Sequence, residues 1–431
     1  MKVKRYFAYF FLATIPLFSK AQQNFMLTRV NEFYSVSDLD VAKNQPVIIP
    51  DGISYTSLKI EIQGSMETPV LIGFRNNSGD MDYLTATVSD NTGEIFEGGH
   101  SSCFQIFETP QSALNLNFGN FEGEVKLHLF YARPLINPSL IKLFKTSNRC
   151  DKPEMISYTV WRQGLPDPKP PREETDVGHL VVHHSAGNNA DTNYINTVRN
   201  IYLLHTQSNG WDDIGYNFLV APNGIIFKGR DPQGVADEDN ILGAHFCGKN
   251  SNTMGVCMLG DFMKVRPTSN AVFSLKYLLA WKLKKDRLDA FGQTKHPRET
   301  GNYLNNLCGH RDGCNTDCPG DSLYAMFPFI KSEAARIADS CGLVLKNKIV
   351  KPNKKITVFP NPCSGKLTIN TNIELSSPSI EVYGLTGNSV FSGDFRSKES
   401  FDLVLPAGLY FYNIRDKREY IFHGIFHIQS Q

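Results

Sequence analysis

Excess charge of either sign is absent from this 431-residue sequence: 44 Lys and Arg offset 43 Asp and Glu, for a formal net charge of +1. No global field draws such a chain onto nucleic acid or an anionic membrane, so neither partner is expected. Basic residues do gather locally, at Lys282 to Lys285 and Lys346 to Lys355. The first run reads as a solvated helix face and the second as a linker. Beyond the N-terminus no apolar run is long enough to cross a bilayer, so no membrane span is expected in the mature protein. Intrinsic disorder is excluded as well, because 41% hydrophobic and 20% charged residues is ordinary globular composition. The length is more than one typical domain needs and predicts two or three.

What is present begins at the N-terminus. Lys2, Lys4 and Arg5 precede an apolar run from Tyr6 to Phe18, and Ser19-Lys20-Ala21 supplies the small residues of a cleavage site. This is the build of a secretory signal peptide over residues 1–21, with a core too short for a membrane span. An uncleaved anchor is the alternative, against which Pro16 and the small-residue ending argue. The nine cysteines fit an oxidising compartment. Cys150 and Cys341 stand at the two ends of the central region and are candidates to staple it. Cys308 and Cys314 flank a loop that would gain from closure, and Cys103 and Cys363 are candidate free thiols.

Three textures follow one another. Residues 23–148 carry short alternating runs broken by Gly, Asn and Asp, among them Ser57 to Ile62, Val70 to Phe74, Tyr83 to Val88 and Val125 to Tyr131. They predict an all-β sandwich with an accessory binding or spacing role. Across residues 150–345, Gly178 to His183 reads as a buried strand, and Asp191 to Thr206 as an amphipathic helix capped by Asp191. Ala221-Pro-Asn-Gly224 signals a hairpin, Met254 to Leu259 a strand, and Ser269 to Arg287 and Asp321 to Ser340 two further helices. The mixture predicts a central α/β unit, a mixed β-sheet flanked by helices. After the linker at 346–355, residues 356–431 return to short strands and predict a small C-terminal β-sandwich. The fold class expected is thus multi-domain.

Four patches carry the chemistry: Val182-His183-His184-Ser185-Ala186-Gly187, Trp211 to Phe218, Gly309-His310-Arg311-Asp312 and Thr316-Asp317-Cys318-Pro319-Gly320. A catalytic zinc site needs three protein ligands, imidazole or thiolate among them, and an open fourth position. His183, His310 and Cys318 are a set of that kind. His184 is left out, because successive strand residues point to opposite faces. His205 lies on the apolar stripe of its helix and reads as a core residue.

In the order VVHHSAG, GWDDIGYNFLVAPNGIIFKGR, GAHFCGKNSNTMGVCMLGDF and GHRDGCNTDCPGDSLY, residues from about 153 to 342 resemble the peptidoglycan recognition protein and type-2 amidase family. Ile156 to Trp161 resembles, more weakly, that family's lead-in to its first strand. The resemblance implies zinc as cofactor, with His183, His310 and Cys318 as ligands; binding-only animal relatives usually lack the cysteine. It implies catalytic roles for Tyr216 and Thr316 and places His245, Asn250 and Arg230 along the substrate groove. The implied activity is that of an N-acetylmuramoyl-L-alanine amidase, a hydrolase acting on peptidoglycan. A non-catalytic peptidoglycan-binding protein is the alternative. The sequence departs from animal members in having no cysteine between Asn188 and Gly210.

Val358-Phe-Pro-Asn-Pro-Cys-Ser-Gly-Lys366, Val382-Tyr-Gly-Leu-Thr-Gly387 and Leu405-Pro-Ala-Gly-Leu-Tyr-Phe411 resemble the type A sorting domain of type IX secretion cargo, with Cys363 where a small residue is usual. That implies the type IX machinery as a partner, export through the periplasm, and a secreted or cell-surface location. A carbohydrate-binding sandwich is the other reading of this region.

Overall fold

The strand Tyr55–Gln63 is buried on both faces over most of its length, which explains much of how the N-terminal third is built. It is an inner strand of a five-stranded sheet in the order Thr28–Asn31, Tyr34–Val41, Gly123–Phe130, Tyr55–Gln63, His100–Gln111. Facing that sheet is a second, of Val47–Ile49, Leu114–Asn117, Val70–Arg75 and Met81–Ala86. Every pairing in both is antiparallel. Leu58, Ile60 and Ile62 point between the sheets and close a core with Val70, Ile72, Leu116 and Leu127. Their alternates Ser57, Lys59 and Glu61 point the other way, toward the central unit. The computed structural model describes residues 27–49, 52–63, 69–75, 79–86, 100–133, 135, 150–235, 237–297, 303–343, 356–371, 375–384, 387–416 and 419–429. The signal peptide expected over 1–21 and the linker expected over 346–355 lie outside the described residues.

The central unit is a mixed five-stranded sheet in the order Ile226–Lys228, Phe218–Val220, Thr253–Met258, His179–His184, Leu307–Gly309. All neighbours are parallel except the hairpin pair at the Ile226–Lys228 edge. Alternation sorts the strand His179–His184. Leu180 and Val182 enter the core with the helices Ser269–Asp286 and Phe327–Ser340. Val181 and His183 face the opposite side. There the helix Tyr194–Leu203 covers Leu219, Phe227 and Cys257, while Phe246, Leu304 and Cys308 gather around Val181. His183 sits between these two clusters.

Four local expectations are corrected. The helix after the first strand begins at Tyr194, not near Asp191, and its cap is Asn193, whose side chain accepts from Asn196 N at 3.2 Å. Asp191 is occupied otherwise: burial and the nearby Glu108 push its carboxyl up to about 7. That helix passes into a π-helical turn, Leu204–Ser208. The helix expected over Asp321 to Ser340 is two, Asp321–Tyr324 and Phe327–Ser340. Pro328, which has no N–H to continue the first, opens the first turn of the second. Lys282 is no solvated residue: it is fully buried and paired with Asp239 and with Asp286, the latter at 2.8 Å. Basic residues at 282, 284 and 285 sweep most of one helical turn, so one of them must face inward.

Cys150 and Cys341 are disulfide-bonded and join the ends of the central unit. The C-terminal region stacks a three-stranded sheet (Ile356–Phe359, Lys366–Thr371, Lys398–Asp402) on a four-stranded one (Ser389–Asp394, Pro378–Tyr383, Gly408–Asp416, Glu419–Ile428). Leu367, Ile369, Ile380, Val382 and Ile414 form its core.

The N-terminal sandwich and the central unit share a core, since Phe33, Phe130 and Ala132 pack with Ile195, Tyr202 and Tyr216. The seam is also hydrogen-bonded. Thr56 Oγ1 donates to Asn200 Oδ1 at 2.6 Å and accepts from Ala132 N at 2.8 Å, all buried. Arg199, itself buried, donates from Nη1 to Gln163 O at 2.8 Å and reaches Trp161 O and Arg133 O. Thr56→Val keeps the shape but orphans both partners, and is expected to cost about 2 kcal/mol in urea unfolding of the full chain.

On the same seam Lys59 Nζ lies 2.7 Å from Glu61 Oε1, and His128 Nε2 lies 3.0 Å from Glu61 Oε2. Burial alone would raise the Glu61 carboxyl, but His128 and Lys59 overcome it and hold the group at about 2 instead of 4.5. A depressed carboxylate stabilises the fold above its unfolded pKa. That contribution is lost as pH falls from about 4.5 toward 2. The urea midpoint of the native chain should fall as pH drops through this window, and Glu61→Gln should flatten that dependence.

Candidate metal centre

His183 is the penultimate residue of a central strand, and His310 follows directly on the neighbouring edge strand Leu307–Gly309. Because the two strands are parallel and adjacent, both histidines emerge at the same, carboxyl end of the sheet, the usual place for a site in an α/β fold. Cys318 arrives from 135 residues away. It is fixed there by Arg311 N, which donates to Cys318 O at 3.0 Å, and by a turn that leads into the helix at Asp321. One ligand atom from each of His183, His310 and Cys318 lies within 4.8 Å of the others, and all three residues are buried. Cys318 Sγ is 3.7 Å from His183 Nδ1, and the two imidazole rings are 4.5 Å apart.

The hydrogen bonds around His183 dictate where its proton sits. Thr253 has one hydroxyl proton and gives it to Asn250 O at 2.7 Å. Its oxygen therefore accepts from His245 Nε2, at 3.3 Å. His245 Nδ1 is then an acceptor, and the group 3.0 Å away that must donate to it is His183 Nε2. This leaves the lone pair of His183 on Nδ1, the atom facing Cys318. An imidazole whose far N–H is held by a partner and whose near nitrogen is bare is how proteins present a metal ligand.

His310 is barer still. Both its ring nitrogens are buried and have no hydrogen-bond partner among the described residues. Burial, with His310, His245 and His184 nearby, lowers His183 well below the ordinary histidine range. Burial, then the neighbouring His184, brings His310 down to about 3. So both rings are neutral, with a lone pair available, at any physiological pH. Burial pushes the Cys318 thiol up to about 12, against the pull of the His184 N–H and Arg311. His184 N donates to Cys318 Sγ at 3.3 Å, a contact that suits a thiolate. Two neutral imidazoles and one sulfur that needs a counter-charge fit zinc, whose preferred donors are nitrogen and sulfur.

The remaining sequence-nominated residues fall into two groups. Tyr216 is at the site, its ring 5.3 Å from that of His183, and its side chain hydrogen-bonds Cys257. Thr316 lies on the Cys318 turn, with its hydroxyl accepting from Cys318 N at 3.2 Å. His245 is buried against His183. Asn250 Oδ1 accepts from the backbone of His245 and Phe246 at 2.7 and 2.8 Å and so shapes that loop. Arg230 is apart from the donors: both its terminal nitrogens grip Asp212, at 2.9 and 2.7 Å. His184 points away, accepting from Phe262 N at 3.3 Å on the far face, and His205 is buried between Trp211 and Tyr216.

One pairing suggested by sequence is wrong. Cys314 is bonded to Cys247, not to Cys308, which is free and buried beside Val181. Cys308 sits on a strand in register with Val181, so its side chain is committed to the core, whereas Cys247 and Cys314 lie on the two loops bordering the site. Their motifs, GAHFCGKN and GHRDGC, were the available signal. Thr253 and Cys257 also went unnoticed; each lies inside a matching run, but only the fold reveals what it touches.

Residues 173–321 match the family described as N-acetylmuramoyl-L-alanine amidase, and residues 357–426 match the secretion system C-terminal sorting domain. Peptidoglycan-recognition protein SC2 of Drosophila simulans is 31% identical over 150 residues, 34% of this chain and 71% of that protein. Peptidoglycan recognition protein 1 of Bos taurus is 32% identical over 152 residues, covering 34% and 69%. The N-acetylmuramoyl-L-alanine amidase of Homo sapiens is 31% identical over 166 residues, 36% of this chain but 24% of that protein. With the sheet, its helices and these relatives in agreement, the chain belongs to the peptidoglycan recognition protein and N-acetylmuramoyl-L-alanine amidase family and carries a secretion sorting domain at its C-terminal end.

Proposed function

We propose that the protein is an exported, zinc-dependent N-acetylmuramoyl-L-alanine amidase, hydrolysing the amide between N-acetylmuramic acid and L-alanine in peptidoglycan. The observation that carries this is the donor set: His183 Nδ1, a His310 with no competing partner among the described residues, and the Cys318 sulfur, within 4.8 Å of one another. When bound there, zinc supplies Lewis acidity and makes water a competent nucleophile near neutral pH. The chain's own part is positioning. His245 and Thr253 hold His183 in the one tautomer that faces Cys318. The Tyr216 hydroxyl is the donor for the scissile carbonyl oxygen as charge develops there, exchanging its Cys257 contact for the substrate. Thr316 holds the Cys318 turn and reaches the reacting group from that side. Asn250 shapes the groove loop, and Arg230, through Asp212, braces the segment that leads to Tyr216.

The sorting domain supports export, with the type IX machinery as partner, and a location outside the cell or on its surface; among the described residues no helix is long and apolar enough to cross a membrane.

Digestion of purified peptidoglycan by the full chain, with products read by mass spectrometry, is the test. Free stem peptides beginning with L-alanine are expected; their loss on chelation and return with zinc complete the case. Wall binding without cleavage would instead make the protein a recognition module. Cys318→Ala is expected to lose zinc and cleavage together, by elemental analysis and the same digest. A zinc-free Cys318→Ala protein with full activity would sink the ligand assignment. Tyr216→Phe should keep zinc and lower kcat by about 100-fold or more, the loss typical of one missing oxyanion donor.

A further inference from the structure

The π-helical turn Leu204–Ser208 inserts an extra residue at the end of the helix Tyr194–Leu203, and such turns tend to mark functional sites. Its second residue, His205, is buried and anchors both ends of the loop that delivers Tyr216. Trp211 N donates to His205 O at 3.0 Å, and Gly215 N donates to His205 Nδ1 at 3.0 Å. The His205 ring packs at a tilt against Trp211 and Tyr216, with centroids 4.6 and 5.6 Å away, and Tyr216 lies against His183 on its other side. The place of Tyr216 is thus set by the π-turn.

The π-turn is in turn gripped by the N-terminal sandwich. Ser208 Oγ lies 3.4 Å from His128 Nδ1, and Lys59 Nζ is 3.4 Å from Asn209 Oδ1. At the rim, Asn31 Nδ2 donates to Gln207 Oε1 at 2.8 Å. The residues doing the gripping are themselves locked: Glu61 bridges Lys59 and His128, and the Tyr34 hydroxyl sits 2.7 Å from His128 Nδ1 with its ring stacked on His128. A partly buried Lys–Glu–His–Tyr network on the outward face of one sheet is costly unless each member is satisfied. Here it ends on consecutive residues of the one segment that leads to the site.

We infer that the N-terminal sandwich is a positioning element of the active site: Lys59 and His128, through Asn209 and Ser208, hold the π-turn and its His205 so that Tyr216 stays registered against His183. The inference rests on the amidase reading above for the role of Tyr216, but the mechanical coupling it describes does not. The test is the full-length double variant Ser208→Ala/Asn209→Ala, which leaves the sandwich network and every proposed metal ligand intact. Hydrogen exchange of the backbone over residues 211–216 should quicken, and kcat on soluble muropeptide should fall about tenfold, since small displacements of a catalytic group are expensive. KM and zinc content should not change. Restoring an acceptor for Lys59 with Ser208→Ala/Asn209→Asp should recover most of both effects. Unchanged exchange in the double variant overturns the proposal, and so does quickened exchange with undiminished kcat. If the native chain cleaves nothing, that failure belongs to the amidase reading, and the exchange result alone decides the coupling. Should the double variant fail to fold, Asn31→Ala is expected to give a smaller change of the same kind at the rim contact, and no change there would equally overturn it.

Discussion

His310 is the constraint around which the central unit is arranged. Two buried ring nitrogens without a partner among the described residues cost about 1–3 kcal/mol each when nothing replaces water. A metal ion at the nitrogen that faces Cys318 would relieve one of the two. The surroundings are consistent with that. His183 is held with its lone pair on Nδ1 by a chain of three donors that ends at Asn250 O, and Cys318 is tied to the His310 loop through Arg311. The Cys247–Cys314 disulfide then fastens the loop behind His245 to the loop after His310. Each of these contacts fixes a donor atom's direction, and none of them uses up a donor's lone pair.

Direction is expensive to maintain from one side of a sheet, and this explains the integration of the N-terminal sandwich. The strand Tyr55–Gln63, buried on both faces, reaches the central unit with polar side chains, through Thr56 to Asn200 and Lys59 to Asn209. Removing the sandwich would orphan Asn200 and expose the side of the helix Tyr194–Leu203 that shares its core with Tyr216.

Much of the site was legible in the sequence because its residues lie at strand ends inside short runs. Alternation alone sent His184 to the face opposite His183, and there it bonds Phe262 N. The mixed sheet followed from the hairpin at Ala221 to Gly224 and the buried strands on either side. What could not be read depends on contacts between distant segments. Cys247 and Cys314 are 67 residues apart, and nothing local to either prefers the other over Cys308. Lys282 looked solvated because charge patterns describe one helix, while its partner Asp239 is on a loop. Asp191 is an excellent cap residue in isolation, yet Asn193 is the one placed to accept from Asn196, and the fold half-buries Asp191 near Glu108 instead. The tautomer of His183 needed three residues from two segments to be known at once.

The two flanking sandwiches are attached by different physics, and the difference bears on export. At the C-terminal side Phe411 meets Phe329 edge-on with centroids 5.1 Å apart, and Met326 packs beneath Gly387. Apolar contacts of this kind can part without leaving a buried polar atom unpartnered; the loss is in proportion to area alone. The N-terminal seam is fixed in direction as well as by area, because Thr56 with Asn200, Arg199 and Lys59 make hydrogen bonds across it. A domain whose work is finished once the protein has been exported needs the first kind of attachment. A domain that holds Tyr216 in place needs the second.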